Sequence, residues 1–190
     1  MDLRTLAVVL GLAASSMVFA DEHRGVLPCP VDAQVQMDAE FGAGTSAQTE
    51  CLQKRDDIRV VMAWNNREVN KKGVGQQVAN VRNYVENLSG MYGLRINQDF
   101  EVRVIGYQSG ARWLLTDEAY NRTLGVTTGN PSRPTVEWLL ANGVKMAMCQ
   151  NTMRNLGYVT GDLLPGVTQV PGGVAALIDY SMRGYTYLAP

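Results

Sequence analysis

Hydrophobic residues follow two alternating patterns in the first half of the chain. The segments Ile58–Trp64 and Phe100–Gly106 are apolar and rich in β-branched side chains, which is typical of buried strands. Between them, apolar residues recur at helical spacing, so the pattern predicts an amphipathic helix over residues 73–88. The residues of this repeat are Val74, Val78, Val81, Val85 and Leu88. The first half of the chain therefore predicts a strand, a helix and a second strand.

The second half of the chain continues this alternation with shorter segments. After a turn at 108–110, the pattern predicts the start of a helix over 111–115 and a loop over 121–133. Pro134 suits the first turn of a helix, and Asn142-Gly143 suits its end. The remaining predicted elements are a strand over 143–149, a helix over 151–156, a strand over 167–170, a helix over Gly173–Met182 and a strand over 185–188.

This order of elements predicts the fold class. Strands that alternate with helices are typical of parallel sheets, because each crossover helix returns the chain to the same end of the sheet. We expect an α/β domain over residues 57–190, with a single doubly wound, mostly parallel sheet and helices on both faces. Residues 21–56 are polar, so we expect an irregular N-terminal extension with a short helix near Val31–Phe41.

Residues 1–20 have the features of a secretory signal peptide. Arg4 supplies a positive start, and residues 6–12 form an apolar core that is too short to cross a bilayer. Val18-Phe19-Ala20 places small residues at the two positions that a signal peptidase recognises. We expect cleavage after Ala20 and a periplasmic protein with no membrane segment. An uncleaved N-terminal anchor is the alternative interpretation.

The charge composition argues against two classes of partner. The chain has 17 basic and 18 acidic residues, with a formal net charge of −1, and no basic run stands out. Proteins that bind nucleic acid or anionic membranes generally carry a basic surface. We therefore expect neither nucleic-acid nor membrane binding by the mature chain.

Three cysteines give the clearest chemical information. Cys29 and Cys51 both lie in the N-terminal extension, so in an oxidising compartment they are the natural disulfide pair. Such a bridge stabilises a domain by about 3 kcal/mol on the chain-entropy model. The pairing leaves Cys149 as a free thiol, although sequence alone leaves the two other pairings open.

Cys149 stands where chemistry is often found in α/β proteins. It ends a predicted strand, and Gln150-Asn151-Thr152 begins a predicted helix. The positive end of a helix stabilises a thiolate, which is the reactive form of cysteine. The alternative is a buried, inert cysteine, because free cysteines are often buried.

The C-terminal half of the chain resembles the DsrE/DsrF-like family of sulfur-relay proteins. The resemblance covers roughly 57–190, and the 102–115 segment fits it as a strand, a small-residue turn and a helix. The other segments that carry it are Gly143-Val144, Cys149-Gln150-Asn151-Thr152, Asp162-Leu163-Leu164-Pro165-Gly166-Val167, Val170-Pro171-Gly172-Gly173-Val174 and Gly184-Tyr185-Thr186-Tyr187-Leu188-Ala189-Pro190. The resemblance implies a strand-end cysteine, here Cys149, that carries sulfur as a persulfide. It also implies a homo-oligomer, a trimer or larger, and exchange with a small sulfur compound or a partner sulfur-carrier protein.

The chain also departs from that family. Many members have a His-Gly pair after the second strand, where this chain has Tyr107-Gln108, so no role of that histidine carries over. The best-studied members are cytoplasmic, whereas this chain is predicted to be exported. An exported member could therefore keep the scaffold and perform another task.

Residues near Cys149 are candidates for holding the sulfur cargo. Backbone N–H groups of Asn151 and Thr152 could stabilise a persulfide anion, and Gln108 and Ser109 could bind the cargo from the adjacent strand end. Arg112 could supply charge for a sulfur oxyanion such as thiosulfate. An ordinary solvated surface position is the alternative interpretation of Arg112.

Metal binding and hydrolytic catalysis are constrained by the single histidine, His23. A Ser-His-Asp triad and His-rich zinc sites are excluded from the domain. After cleavage at Ala20, His23 is the third residue, and such an N-terminus can bind Cu(II) or Ni(II) through four nitrogens.

Two further candidate binding sites have simpler structural interpretations. The methionines near Cys149, which are Met146, Met148 and Met153, could bind Cu(I) but fit core packing, and Gly172-Gly173 could bind phosphate but fits a packing turn.

The leading hypothesis is an exported DsrE-like protein that binds or relays sulfur through Cys149. As an enzyme it would be at most a sulfur carrier or transferase, and it requires no cofactor. One alternative is a periplasmic module that binds a small ligand or copper. The other is a non-catalytic oligomeric scaffold in which Cys149 is inert.

Overall fold

The computed structural model describes residues 26–190. The predicted signal peptide and the predicted metal site at His23 lie outside these residues. Within 26–190, every helix is too short or too polar to span a bilayer.

Five parallel strands form a single sheet. The strands are β1 (Ile58–Trp64), β2 (Phe100–Gly106), β3 (Lys145–Cys149), β4 (Thr168–Val170) and β5 (Thr186–Leu188). Their spatial order is β4-β3-β2-β1-β5, and every neighbouring pair is parallel. The predicted α/β class with a single sheet is therefore confirmed. In this register Trp64 pairs with Gly106, which pairs with Met148, so the carboxyl ends of three central strands meet at one edge.

Six α-helices accompany the sheet. They are α1 (Val31–Phe41), α2 (Gln76–Glu86), α3 (Asp117–Leu124), α4 (Arg133–Ala141), α5 (Gln150–Leu156) and α6 (Gly173–Met182). The helix predicted in the extension coincides with α1, and the last predicted helix coincides with α6.

Three predicted elements differ from the structure by more than two residues at one end. The helix predicted over 73–88 begins at Gln76, because Asn70 to Gly73 form a hydrogen-bonded turn and Gly73 has a φ of 77°. The helix predicted from 111 is a 3₁₀ helix over Gln108–Leu114. The loop predicted over 121–133 begins only after Leu124, because Thr116 caps α3 by accepting a hydrogen bond from the Ala119 N–H.

The two faces of the sheet are covered differently. On one face, α2, α3, α4 and α5 pack with the 3₁₀ helix on alternate strand residues such as Met62, Val104 and Met148. On the other face, α6 is the only helix of residues 26–190 that packs, with Leu177 against Val61 and Ile105. Helices therefore cover both faces, as predicted, although very unequally.

The N-terminal extension is closed on itself by a disulfide and is held to the domain by a hydrogen bond. Cys29 and Cys51 form the disulfide, with the Cα atoms 5.2 Å apart, and this is the predicted pairing. The Leu52 N–H donates to the hydroxyl of Tyr92 at 3.1 Å, and Arg55 donates to the Pro28 carbonyl. Cys149 is the free cysteine of the described residues.

Candidate functional site

Cys149 lies at the junction of β3 and α5. It is the last residue of the strand, and the helix begins at the next residue. Its neighbours Met146 and Met148 point into the core on the opposite face, where Met153 also packs. The three methionines are therefore core residues, and they do not form a thioether site around Cys149.

The sulfur of Cys149 is surrounded by hydrogen-bond donors. The Gly173 N–H, at the start of α6, donates to Cys149 Sγ at 3.1 Å. Burial alone raises the pKa of the thiol, but hydrogen bonds from Thr152, Gly173 and Asn151 outweigh burial and lower that pKa below its ordinary value. These donors favour the thiolate, because a negative sulfur accepts hydrogen bonds better than a neutral thiol does.

Thr152 acts on the thiol through two groups, its backbone N–H and its side-chain hydroxyl. Both its backbone N–H and its hydroxyl lower the pKa of Cys149. The hydroxyl oxygen also accepts a hydrogen bond from the Gln108 N–H at 3.0 Å. Since that bond occupies a lone pair of the oxygen, the hydroxyl hydrogen remains available to the sulfur. Gln108 has a φ of 49°, a left-handed conformation that is costly for a residue with a side chain.

Tyr107 and Gly173 enclose the thiol from the other side. A Cβ atom added at Gly173 would lie 3.0 Å from Tyr107 Cβ and 3.3 Å from Cys149 Cβ. Only glycine permits this close approach without displacing a neighbour. Burial raises the pKa of the Tyr107 hydroxyl, which accepts a hydrogen bond from Asn65 at 3.3 Å. The Tyr107 hydroxyl is therefore uncharged near neutral pH and does not act as a base there.

Cys149 itself is 4% exposed. The alternative interpretation was a buried, inert cysteine, and burial would by itself raise the pKa of the thiol. The structure agrees with the burial but not with a raised pKa. The thiol is covered, but the donors around it still lower its pKa. Any reagent would reach the sulfur only after the surrounding groups moved.

Four of the five predicted ligand-binding residues line one cleft beside the thiol. Gln108, Ser109, Arg112 and Thr152 lie along a cleft of about 450 Å³. The Nε atom of Arg112 donates to the Ser109 carbonyl at 2.9 Å, which fixes the guanidinium against the loop after β2. Asn151 lies apart from the cleft. Its N–H faces Cys149, while its side-chain oxygen accepts from Arg154.

Sequence reasoning missed two residues of this site, Gly173 and Tyr107. The pair Gly172-Gly173 carried a signal, because a glycine before a helix suits close backbone approach, and it was interpreted as a packing turn. The structure shows that this turn packs against the thiol. Tyr107 was noted only as part of the pair that stands where many family members have His-Gly, and its contact with Gly173 depends on the approach of α6 to the end of β2.

The described residues contain no group of three or more His, Cys, Asp or Glu side chains that could hold a metal ion. Two acidic residues, Asp117 and Asp162, instead pair with arginines. Asp117 binds Arg133, and Asp162 binds Arg122, each at 2.7 Å. These carboxylates stabilise loops and helix ends.

Comparison with solved structures identifies similar folds. A protein of unknown function from Methanobacterium thermoautotrophicum, MTH1491, is 27% identical over 70% of this chain and 100% of its own length, with a TM-score of 0.53. The ychN protein of E. coli is 15% identical over 70% of this chain and 97% of its own length, with a TM-score of 0.50, and this likeness concerns the fold alone. No match is found among the curated proteins.

A family model also matches the chain. The model of the DsrE/DsrF-like family covers residues 75–190. This range includes β2 to β5 and every residue that surrounds Cys149 except Asn65. It excludes β1 and the disulfide-bonded extension. The match spans more than half of the sequence, so the chain belongs to the DsrE/DsrF-like family.

Proposed function

We propose that this protein is an exported sulfur carrier that holds sulfane sulfur as a persulfide on Cys149. The observation that carries the proposal is the hydrogen bond from the Gly173 N–H to Cys149 Sγ, together with the nearby donor groups of Thr152 and Asn151. They lower the pKa of the thiol despite its burial. A persulfide is also an anion near neutral pH, so the same donors suit the loaded form.

The chemistry needs no cofactor. The Cys149 thiolate attacks the outer sulfur of a donor R–S–SH, a bond forms between Sγ and that sulfur, and the donor S–S bond breaks. The electron pair leaves with the donor thiolate, which takes up the released proton. In the second step an acceptor thiolate attacks the outer sulfur, and Cys149 leaves as a thiolate. No oxidant or reductant is consumed, because the sulfane sulfur is transferred without a net redox change.

The main alternative is a non-catalytic oligomeric scaffold. It is favoured by the low exposure of Cys149, which is 4%. On the sulfur-carrier proposal, the groups that cover Cys149 have to move during transfer. On the scaffold alternative, Cys149 is a small core residue and never reacts with a sulfur donor.

Mass spectrometry of the intact protein separates the two. Protein purified without reductant is incubated with polysulfide, and the adduct is located by peptide mapping under non-reducing conditions. The sulfur-carrier proposal expects an adduct of about 32 Da, one sulfur atom, on Cys149 and none on a Cys149→Ser variant. Absence of the adduct from native protein, together with its appearance after unfolding, would favour the scaffold.

A homo-oligomer, trimer or larger, is the assembly we propose for this carrier. The supporting observation is an apolar stripe on the outer side of α6, formed by Val174, Ile178 and Met182, which are 59%, 56% and 84% exposed. Parallel sheets are usually covered on both faces, and α6 is the sole helix on this one among residues 26–190. Sedimentation equilibrium tests this: a native oligomer that Ile178→Glu dissociates supports it, and a native monomer rejects it.

The predicted export and N-terminal metal site also remain proposals. N-terminal sequencing of secreted protein should begin at Asp21. Titration with Cu(II) or Ni(II) should then show one site that His23→Ala removes, and equal binding by both proteins would reject it. Copper retained by the His23→Ala protein after dialysis would instead favour the copper-binding alternative.

A further inference from the structure

We propose that the cleft beside Thr152 binds the organic part of the sulfur donor, and that this donor is a small persulfide with one anionic group and an apolar body. The cleft lies between the loop after β2, the end of α3 and α5, and its volume is about 450 Å³. This inference rests on the proposed function, because it names the substrate class of the same site. It extends that site to residues that were not predicted, including Leu124, Leu156 and Tyr158.

The charge of the cleft favours an anion. Arg112 is the charged residue among those that line it. Within residues 26–190, Arg112 forms no ion pair, and its guanidinium is held by the Ser109 carbonyl and lies 5.9 Å from the Trp113 ring. Burial raises the pKa of Tyr158, so its hydroxyl adds no negative charge near neutral pH. A carboxylate or sulfonate would therefore find one fixed cation and no competing acid in the wall.

The size and polarity of the cleft favour an organic body. Its wall is mainly apolar, with Leu124 half-buried and Leu156 46% exposed. Its volume lies within the range of about 300–1,000 Å³ that is usual for small-molecule pockets. Thiosulfate would fill a small part of this volume and would leave the leucines without contacts. An acid whose carboxylate meets Arg112 and whose carbon skeleton covers the leucines matches both features.

The cleft is coupled to the thiol through Thr152. This residue lines the cleft, and its hydroxyl both accepts from the Gln108 N–H and lowers the pKa of Cys149. A ligand that contacts Gln108 and Thr152 therefore touches the groups that hold the thiolate. When the sulfane sulfur moves to Cys149 Sγ, the donor S–S bond breaks and its electron pair leaves with the organic thiolate, which takes up the proton. Arg112 would hold the anionic end of this thiol throughout.

A binding experiment tests the cleft without sulfur transfer. The probes are 4-(mercaptomethyl)benzoate and the matched neutral amide, titrated calorimetrically into the full-length protein and into the Cys149→Ser variant. We expect the benzoate to bind both proteins about tenfold or more tightly than the amide. Arg112→Gln should remove this preference, whereas Arg82→Gln, an exposed arginine that pairs with Glu86 on α2, should keep it. Equal affinity for the two probes, or a preference that survives Arg112→Gln, would overturn the proposal.

A second pair of variants guards against a folding defect. Leu156→Asp places a carboxylate in the cleft, at an exposed position of α5. Leu156→Asn is its matched control, because asparagine has nearly the same shape as aspartate but carries no charge. Benzoate binding should be weaker for the Asp variant than for the Asn variant, while amide binding should differ little. Equal benzoate binding by the two would count against the cleft.

A transfer experiment separates this inference from the proposed function. The persulfides of the two probes and inorganic polysulfide are compared by the rate of sulfur loading on Cys149. Faster loading from the benzoate persulfide, lost in Arg112→Gln, supports the inference. Equal loading from all three donors overturns it and leaves the sulfur-carrier function intact. Binding that depends on Arg112, without loading from any donor, keeps the cleft as a ligand site and rejects the sulfur-carrier function.

Discussion

The two cysteine regions of this chain show how position determines the chemistry of one side chain. Cys29 and Cys51 lie in the N-terminal extension, and each thiol is consumed by the other in a disulfide. Cys149 lies at the end of β3 with no cysteine partner, its sulfur accepts a hydrogen bond from the Gly173 N–H, and the groups of Thr152 beside it help to lower its pKa.

The difference between the regions lies in what surrounds the sulfur. The disulfide closes a loop within an extension that has few regular elements, so its contribution is to stability. The thiol at β3 lies where strand ends, helix starts and a glycine turn converge, so its surroundings act on its ionisation. The first region should therefore respond to reduction through the free energy of unfolding, and the second should respond to pH through reactivity.

The largest expected effect tests the structural half of this comparison. The double variant Cys29→Ser/Cys51→Ser removes a bridge between residues 22 positions apart, and we expect a loss of about 3 kcal/mol in the free energy of unfolding. Urea denaturation measures this loss. The pH midpoint of Cys149 alkylation should stay at the wild-type value. A shift of that midpoint would show that the extension and the thiol site are coupled, and the comparison would break.

A smaller effect is expected when the glycine turn is altered. In Gly173→Ala, the new methyl would lie 3.0 Å from Tyr107 Cβ and 3.3 Å from Cys149 Cβ, so the N–H donor must shift. We expect a loss of about 1–3 kcal/mol in stability and a higher pKa for Cys149. Gly161→Ala is the matched control, because a Cβ atom there meets nothing within 4 Å. Equal behaviour of the two variants would mean that the turn does not hold the thiol.

The smallest expected effect isolates one hydroxyl group. Thr152→Val removes the hydroxyl that lowers the pKa of Cys149 and keeps the shape of the side chain. We expect the alkylation midpoint to rise by about one pH unit, whereas Thr152→Ser, which keeps a hydroxyl, should remain near the wild-type midpoint. If the valine and serine variants gave the same midpoint, the pKa of Cys149 would depend on backbone groups alone.

Much of the fold is predictable from the sequence for physical reasons. Residues 60–64 form a continuous apolar run because that part of β1 is buried on both faces of the sheet. In Phe100–Gly106, apolar residues alternate with Glu101 and Arg103, which are partly buried, and this period of two is typical of a strand. The start of α2 and the extent of α3 were predicted less well. They depend on the turn before Gln76 and on the cap at Thr116, which are local hydrogen bonds rather than hydrophobic patterns.

The immediate surroundings of the Cys149 thiol were predictable only along β3 and α5, although the sequence also predicted Gln108, Ser109 and Arg112 as residues of the neighbouring cleft. Cys149, Asn151 and Thr152 are close in sequence, so a strand followed by a helix start brings their groups together. The contact between Gly173 and Cys149 spans 24 positions and depends on how α6 crosses the sheet. The left-handed conformation of Gln108 likewise follows from tertiary packing, since no glycine or asparagine marks the position.

The pH dependence of Cys149 alkylation tests the central claim most directly. The rate of reaction with iodoacetamide follows the thiolate fraction, which rises as the pH passes through the pKa of the thiol. Because the surrounding donors lower that pKa, we expect a midpoint below the value of about 8.5 for a free cysteine. The Cys149→Ser protein serves as the blank for background alkylation. A midpoint at or above that of a free thiol in the folded protein would contradict the account, because burial would then outweigh the donors and the thiol would not be prepared for sulfur transfer.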